Sequence, residues 1–571
     1  MEILSLLNPE NSKAKFNNLT NETINDLSLE FICQSLTEDA YERNVILKIM
    51  SQITSDTETV KYRCDIFEDF LKFPKLRSVL TELLKELANL RDLERFQKDS
   101  EASSLWKLIN RLREIDGYVK CITAMKKCLE ETDIQSQGLK NLKSYIDNIY
   151  NQSGFPQLKA DIDETFKKAQ NLKSVTIGVN LDDLLRPKTA GILSLNDKEF
   201  SNSGLMKHFV NFVNTKDELH HGTDISDIKK FHPASPKFKE EHLGFGKIEQ
   251  NAGVGYVTIS SGDSATGGDP LSDSMKKAVT EIMKKTVREI QSTLLKYVNI
   301  SGYSLINLMP EIVFYIRWAE LVDKIQAKGL KMCKAEVVSE SERQFSAKEI
   351  YNLKLAIKRV NGEEFNIVSN DIDFNDEKGR IFILTGPNRG GKTTFTQAVG
   401  LAFLLAQNGI YTPCSNLKIS PCDNIFTHFP ADENDTVDLG RLGEESKRLW
   451  EIFDVATDKS LLLLNESLAT TNVSEGLFIA RDVVKAMCYL GVRSIFNTHM
   501  HDLAKDLDVL NNDKQNKSRA ESLVTGVDNG ERSFKVYVSP PQGSSYARDI
   551  AKKYGVTFEQ IKNNIDNKLK H

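Results

Sequence analysis

The sequence predicts a multidomain protein in which an α-helical region precedes an α/β domain built on a parallel sheet. Residues 26–150 are rich in helix-forming residues, with apolar positions three and four apart. Residues 381–405 then read as a buried strand, a glycine-rich loop and a helix. Two further apolar strands, at 460–466 and 494–497, follow in the order expected of an open parallel sheet. These observations place the change of fold class at about residue 330.

Composition is that of an ordinary soluble protein. The 571 residues suffice for more than one domain, and 40% are hydrophobic, 27% are charged and the net charge is −5. This charge excludes a globally basic protein but allows a local positive surface for nucleic acid. No apolar stretch is long enough for a membrane span, and the start does not resemble a signal peptide. We therefore expect a cytoplasmic protein.

The eight cysteines are scattered along the chain and include no C-x-x-C pair. Neither a zinc site nor a disulfide framework is therefore indicated. The pattern favours small buried thiols in a reducing compartment.

The helical region, residues 1–330, carries a leucine stripe between Lys75 and Phe96. Its apolar residues are spaced for one face of a helix. Such a stripe is typical of a helix packed in a core, and we favour that interpretation over a zipper. The stripe comprises Leu76, Val79, Leu80, Leu83, Leu84, Leu87, Leu90 and Leu93.

From about Ser174 the sequence changes to short runs rich in β-branched residues, interrupted by Pro187 and Gly191. This change predicts a small strand-containing insertion over about 174–270. Within it, the basic and aromatic stretch 229–239 is interpreted as a solvated surface loop, with a phosphate-backbone contact as the alternative. Two helices are expected to follow, a basic one at 272–299 and a second at 305–328.

The glycine-rich loop fits G-x-x-x-x-G-K-[ST], the pattern of a phosphate-binding loop between a strand and a helix. In such a loop, backbone N–H groups and the helix dipole attract phosphate oxygens. Lys392 would reach the β- and γ-phosphates, and Thr393 would hold Mg²⁺ through its hydroxyl. The alternative is a glycine-rich turn without a ligand, and the flanking strand and helix argue against it. The residues expected to bind ATP are Gly386, Pro387, Asn388, Arg389, Gly390, Gly391, Lys392, Thr393 and Thr394.

Two other strand ends would complete the nucleotide site. Glu466 follows four leucines at the carboxyl edge of the sheet, where it could position or deprotonate water. The alternative is a helix-capping carboxylate. His499 follows the strand at 494–497 and could sense the γ-phosphate or hold the attacking water, with a structural histidine as the alternative. The predicted catalytic residues are thus Lys392, Glu466 and His499.

The order of these motifs resembles that of ABC-type ATPases, and their details resemble the MutS family of DNA-repair ATPases. TGPNRGGKTT at 385–394 resembles the family's TGPN-x-GGK-[ST]-T loop, and FNTHMHDLA at 496–504 resembles its TH-x-x-x-L segment. NESLATTNVSEG at 465–476 resembles the segment with an acidic pair and a Thr/Ser-rich turn. Upstream, residues 45–87 are similar to the start of the family's helical core. The resemblance spans most of residues 40–571.

The resemblance implies a helical core and lever region joined to an ABC-type ATPase domain at 340–571. It implies a homodimeric ATPase that uses ATP and Mg²⁺ to engage mismatched, branched or distorted DNA in repair or recombination, with no membrane partner. The family's mismatch-reading N-terminal domain is not expected ahead of the core. An ATP-driven conformational switch acting on a ribosome or protein partner, with little hydrolysis, is the alternative function.

Two departures from the family pattern concern the site. Asn465 stands where the family usually has Asp, so an uncharged amide would contact Mg²⁺ through a water. We expect weaker Mg²⁺ binding or slower turnover as a result. In the signature segment that would reach the other subunit's nucleotide, Leu442 stands where the family has serine. The remaining candidates for that contact are Gly440, Arg441 and Glu444.

Overall fold

The computed structural model describes residues 4–85, 104–151, 154–170, 174–181, 183, 187–196, 303–377, 379–429, 440–468, 473–528, 531–541, 552 and 554–569. The chain divides into two compact units. The first comprises Met1–Leu84, Cys128–Ser144 and Asn307–His571, and the second comprises Lys85–Lys127 and Tyr145–Ile306. The domain bounds expected from the sequence, 1–330 and 340–571, stay predictions.

The first unit opens with short helices that are capped by side chains. Thr20, Asp39 and Asp56 each accept a hydrogen bond from the backbone N–H three residues later, which satisfies an otherwise unpaired helical donor. These elements are β1 Asn17–Asn18, α1 Asn21–Asp26, α2 Leu29–Leu36, α3 Ala40–Met50, β2 Gln52–Ile53, α4 Thr57–Lys72 and α5 at 74–85.

The leucine stripe is confirmed over its described part. Helix α5 buries four of its leucines and partly buries Val79, whereas Leu87, Leu90 and Leu93 lie outside the described residues. The buried members are Leu76, Leu80, Leu83 and Leu84. Further helices follow, α6 Ser104–Glu131, α7 Gln137–Tyr150 and α8 Phe155–Gln170.

In the second unit, an antiparallel hairpin lies at the start of the strand-containing insertion predicted from about Ser174, whose bounds stay a prediction. Its strands are β3 Ser174–Leu181 and β4 Pro187–Asn196, and Gly178 pairs with Gly191. The predicted loop region at 200–270, including the basic stretch, and the helix expected at 272–299 lie outside the described residues.

Helix α9, Tyr303–Ala327, matches the helix predicted at 305–328. Gly329 follows it with φ +76°, a left-handed conformation that ends helices readily because glycine has no Cβ. The helix buries Phe314, Tyr315 and Trp318 completely. It is therefore a core element of the first unit.

The remaining elements form two sheets and their covering helices. In chain order they are β5 Glu336–Val337, β6 Phe345–Ile350, α10 Leu353–Val360, β7 Asn370–Phe374, β8 Ile381–Thr385, α11 Lys392–Gln407, β9 Asn416–Ile419, β10 Ile425–His428, α12 Gly440–Val455, β11 Leu461–Asn465, α13 Val473–Leu490, β12 Arg493–Asn497, α14 His501–Lys505, α15 Leu507–Asn511, β13 Ala520–Asp528, β14 Glu531–Val538 and α16 Phe558–Leu569.

The larger sheet has the strand order β10-β11-β12-β8-β13-β14, with its first five strands parallel and β14 antiparallel. Strand β12 lies between β8 and β11, so all three end at the same edge of the sheet. The smaller sheet has the order β5-β9-β6-β7. The predicted mixture of helices and a parallel α/β sheet is confirmed, whereas the lever role and the ABC-type order of elements stay predictions.

The N-terminal helices pack directly against the larger sheet and α11. The Thr23 hydroxyl donates to the carbonyl of Ile425 at 3.3 Å, and the Gln397 amide donates to the carbonyl of Asp26 at 2.7 Å. Helix α11 is consequently buried along most of its length. None of the helices in the described part of the chain is long and apolar enough to cross a membrane.

Candidate functional site

The loop between β8 and α11 needs glycine at two positions. Gly386 has φ +143° and Gly391 has φ +89°, conformations that side chains rarely adopt. A Cβ on Gly386 would lie 2.0 Å from the Thr525 hydroxyl oxygen on the neighbouring strand β13. The glycine spacing noted in the sequence therefore permits both the turn and the close approach of β13.

Lys392 begins α11, and its ammonium group points back into the loop. Its Nζ donates to the carbonyls of Gly386 at 3.1 Å and Pro387 at 3.2 Å. Burial lowers the pKa of Lys392, and the negative charge of Glu466 opposes that shift. A cation is thus held where the motif requires one.

Thr393, the next residue, is bonded to the ends of two strands. Its hydroxyl donates to the Asn465 side-chain oxygen at 2.8 Å. The Asn497 amide donates to the same oxygen of Asn465 and also lies 3.4 Å from the Thr393 hydroxyl. Because Asn465 and Asn497 are paired in the register of β11 with β12, the two amides meet side by side.

Asn497 was missed by the sequence analysis. The same rule that selected Asn465, a polar residue at the end of an apolar strand, applies to it.

Glu466 and His499 form the third part of the site. The His499 Nε2 lies 2.8 Å from the Glu466 Oε1, and both side chains are about one third exposed, at 35% and 37%. Glu466 has φ +53°, an uncommon conformation for a residue with a side chain, and its N–H donates to the carbonyl of Asn497 at 2.8 Å. The three predicted catalytic residues therefore lie together at the edge of the larger sheet where β8, β11 and β12 end.

A cleft of about 550 Å³ opens beside the loop and includes Glu466 in its lining. Its far wall is largely apolar and comes from outside the motifs, which is why sequence reasoning missed it. Asn370 fixes one part of that wall, since it accepts from the N–H of Val536 at 2.7 Å and donates to the carbonyl of Phe534 at 3.2 Å. The wall comprises Tyr351, Leu355, Phe365, Val368 and Phe534.

The segment after β11 is tied to α12 and to the end of β10. The Leu468 N–H donates to Glu445 at 2.6 Å, and the Ser467 hydroxyl lies 2.6 Å from the His428 ring. Burial, followed by the nearby charge of Arg448, lowers the pKa of His428 to about 4. This link was also missed by the sequence analysis.

The predicted signature residues lie at the start of α12, which begins at Gly440. The side chain of Arg441 lies outside the described residues, and Glu444 is partly buried. The residue that contacts the segment after β11 is Glu445, one position further on. The role of Gly440, Arg441 and Glu444 across a dimer stays a prediction.

The side-chain oxygen atoms at this edge of the sheet are of the kind that binds a magnesium ion. Mg²⁺ prefers oxygen ligands and retains several waters, so few protein ligands suffice. The Thr393 hydroxyl and the Asn465 amide oxygen are adjacent, and the Asn497 side-chain oxygen is buried without a hydrogen-bond partner. Thr393 would hold the ion directly and Asn465 would do so through a water.

These features define a class of protein, the P-loop nucleotide-binding α/β proteins. A glycine loop joins a central strand to a buried helix, and polar strand ends surround the loop. The comparisons with known proteins refine this class. Residues 382–564 match the family model described as MutS domain V, and residues 55–328 match the one described as MutS2 N-terminal domain. Together the two matches cover both the helical region and the α/β domain, so most of the chain is similar to proteins of the MutS family.

Individual relatives are each similar to a part of this chain. DNA mismatch repair protein MutS of Chlorobium chlorochromatii is 31% identical over 208 residues, 36% of this chain and 23% of the relative. DNA mismatch repair protein spellchecker 1 of Drosophila melanogaster is 35% identical over 153 residues, 26% of this chain and 16% of the relative. The MutS of Clostridium kluyveri is 32% identical over 201 residues, 34% and 22% of the two chains. The alignments thus span about a fifth of these relatives.

Proposed function

We propose that this protein is an ATPase that couples ATP binding and hydrolysis to the engagement of DNA. One observation carries the proposal. Lys392, Glu466 and His499 lie together beside a cleft, at the edge of the larger sheet where its parallel strands end. The relatives that align with the chain are named for DNA mismatch repair. We therefore propose mismatched, branched or distorted DNA as the partner, in repair or recombination.

Each site residue has a task in this proposal. Lys392 and the backbone N–H groups of the loop would bind the β- and γ-phosphates of ATP. Glu466 would orient the attacking water and accept its proton, while His499 holds the carboxylate by the observed hydrogen bond. The apolar wall around Phe365 and Phe534 would cover the adenine base.

Thr393 and Asn465 would hold Mg²⁺, which neutralises charge on the phosphate oxygens when bound. Because Asn465 has no charge, its attraction for the ion is weaker than that of a carboxylate. We infer slow turnover with ATP binding retained. The hydrogen bond from Asn497 would keep the Asn465 oxygen turned toward Thr393.

The far end of the loop's helix supports the coupling. The Arg63 guanidinium of α4 donates to the carbonyl of Gln407 at 3.3 Å, and the Gln407 amide donates to the carbonyl of Thr54 at 2.8 Å. A shift of α11 on ATP binding would therefore be transmitted to the N-terminal helices. This is the proposed basis for a lever action of the helical region.

The proposed assembly is a homodimer through the ATPase domain. In it, the start of α12, with Gly440, Arg441 and Glu444, would face the nucleotide of the partner subunit. Glu445 hydrogen-bonds to Leu468, so α12 is already linked to the segment that follows Glu466. ATP binding would then favour the closed pair because each nucleotide contacts both subunits.

The test is ATP hydrolysis by the purified full chain at low salt, with duplex, mismatched, branched or single-stranded DNA and without DNA. We expect stimulation by at least one DNA form, abolished by Lys392→Ala. The matched control is Lys358→Ala, which removes an exposed lysine of α10 and should leave the rate unchanged. Low salt is needed because contacts to DNA phosphates weaken steeply as salt rises.

Two results would contradict the proposal in different ways. ATP hydrolysis without a response to any DNA form would remove the DNA partner and leave a switch acting on a ribosome or protein. Absence of ATP binding by the unmodified chain would overturn the nucleotide site itself.

A further inference from the structure

Two cysteines that are far apart in the sequence lie side by side in the first unit. The Sγ atoms of Cys333 and Cys414 are 3.4 Å apart, and both thiols are free. Their segments are joined by two backbone hydrogen bonds, from Cys333 N to Thr412 O at 3.0 Å and from Thr412 N to Cys333 O at 2.8 Å. The close approach is therefore supported by paired backbone and not by side-chain rotamers alone.

The surroundings of the two sulfurs are unequal. Cys414 is fully buried, whereas Cys333 is partly exposed. The Thr412 hydroxyl lies 3.6 Å from the Cys333 Sγ and 3.2 Å from the Cys414 Sγ. A reagent from solvent can thus reach the Cys333 sulfur before the Cys414 sulfur. The buried Cys414 sulfur lies within contact distance of the Cys333 sulfur.

The thiols also differ in acidity. The hydrogen bond from the Cys414 thiol, with help from Thr412, lowers the pKa of Cys333 against the effect of burial. The same hydrogen bond, together with burial, raises the pKa of Cys414. By contrast, burial raises the pKa of each of four other thiols to about 12. These are Cys33, Cys64, Cys422 and Cys488.

We propose that Cys333 and Cys414 are a reversible oxidation site, which hydrogen peroxide converts to a disulfide. The Cys333 thiolate attacks one peroxide oxygen, so that an S–O bond forms, the O–O bond breaks and the leaving hydroxide takes up the proton that Cys333 released, to become water. The Cys414 sulfur then attacks the Cys333 sulfur; the S–S bond forms and the S–O bond breaks. The proton of the Cys414 thiol leaves with the departing oxygen as a second water. In sum, two thiols lose two electrons to one peroxide.

The position of the pair gives the disulfide a mechanical consequence. Cys333 lies between α9 and β5, and Cys414 lies between α11 and β9. The bond would tie the segment that leaves α9 to the segment that leaves the loop's helix. Free cysteines in a reducing compartment are compatible with this site, because intracellular disulfides that form on oxidation are commonly transient.

The experiment treats the reduced full chain with hydrogen peroxide and maps its peptides without reduction. Trypsin should release Met332–Lys334 joined to Thr393–Lys418, because Lys331, Lys334, Lys392 and Lys418 bound these two peptides and each contains one cysteine. We expect two of the eight thiols to be lost, and a dithiol reductant to restore them. The oxidised chain should unfold at a temperature several degrees higher, since the cross-link restricts the unfolded state.

Three variants make the result decisive. Cys333→Ser and Cys414→Ser should each abolish the joined peptide and the temperature shift, whereas Cys422→Ser, which removes a buried thiol of the same unit, should preserve both. A joined peptide that contains another cysteine would overturn the proposal. So would peroxide-treated protein in which Cys333 carries only a sulfinic or sulfonic acid, or in which both thiols stay free.

Discussion

The two ends of helix α11 are both polar, yet they serve different purposes. At the N-terminal end, Lys392 and Thr393 border an open cleft and lie beside Glu466 and His499, whose side chains are about one third exposed. At the C-terminal end, Gln407 and Asn408 are completely buried. The first end presents its polar groups to an open cleft, whereas the second has its polar groups hydrogen-bonded within the protein.

The contacts at the C-terminal end join distant parts of the chain. The Gln407 amide donates to the carbonyls of Thr54 and Cys422, and the Asn408 amide donates to the carbonyl of Leu404 at 3.0 Å. The Arg63 guanidinium also donates to the carbonyl of Gln407 and to the side-chain oxygen of Asn408. Polarity at a helix end therefore does not identify a binding site by itself. What separates the two ends is whether solvent or ligand can reach the polar atoms.

The largest effect should follow from Glu466→Gln at the N-terminal end. Loss of the proton acceptor should lower ATP hydrolysis by about 10³-fold, while the ATP dissociation constant changes by less than about threefold. Single-turnover hydrolysis and equilibrium nucleotide binding measure the two quantities. Glu451→Gln, an exposed carboxylate on α12, is the control that should leave both unchanged. Equal loss of binding and hydrolysis would show that Glu466 only supports the loop.

At the C-terminal end, Arg63→Ala should reduce stability more than activity. The buried guanidinium donates to the carbonyls of Leu7 at 2.8 Å and Gln407 at 3.3 Å, so its removal leaves buried acceptors unpaired. We expect the free energy of unfolding to fall by about 3 kcal/mol. The control Lys72→Ala breaks an exposed ion pair with Glu68 and should cost less than about 0.5 kcal/mol. Denaturant unfolding provides the measurement, and equal effects of the two variants would contradict the expectation.

The free energy of unfolding should depend on pH because His428 is buried in the folded chain. The unfolded chain takes up a proton on this histidine below about pH 6.5, whereas the folded chain does so only near pH 4. Stability should therefore fall by about 3 kcal/mol as the pH drops through this window, since the unfolded state binds more protons. His428→Asn should flatten the dependence of unfolding free energy on pH. An unchanged slope in the variant would show that His428 takes up its proton alike in the folded and unfolded chains.

The smallest effect should come from Asn497→Ala. Loss of its hydrogen bond would let the Asn465 oxygen turn away from Thr393, at a cost of about 1 kcal/mol. We expect a severalfold increase in the Mg²⁺ concentration needed for tight nucleotide binding, measured by fluorescence titration. Asn361→Ala, a surface residue after α10, serves as the control. An unchanged Mg²⁺ requirement would remove Asn497 from the proposed magnesium site.

Much of the candidate site was predictable because its central elements are neighbours in the sequence. The glycine loop, the strand before it and the helix after it are adjacent in sequence, so one pattern specifies all three. Glu466 and His499 were predictable for a related reason, since parallel strands place their carboxyl ends at the same edge. The helix at 305–328 and the hairpin after Ser174 were likewise marked by periodicity and turn residues.

The contacts that the sequence analysis missed are made between segments far apart in the chain. Arg63 reaches Gln407, Asn370 holds Phe534, and Cys333 meets Cys414. Each of these residues lies in a segment whose own pattern is complete without the contact. Periodicity shows that a face is buried but not which segment covers it, because hydrophobic burial is not directional.

The sequence by itself determined the backbone of the nucleotide loop and the apolar strands around it. Side chains rarely adopt the conformations at Gly386 and Gly391, and short continuous apolar runs bounded by turn residues are typical of buried strands. Tertiary structure decided which polar side chains meet: Asn465 with Asn497 through the register of β11 and β12, and α11 with Arg63 through packing of the N-terminal helices. Hydrogen bonds require partners within about 3 Å, and strand register and helix packing together set those distances.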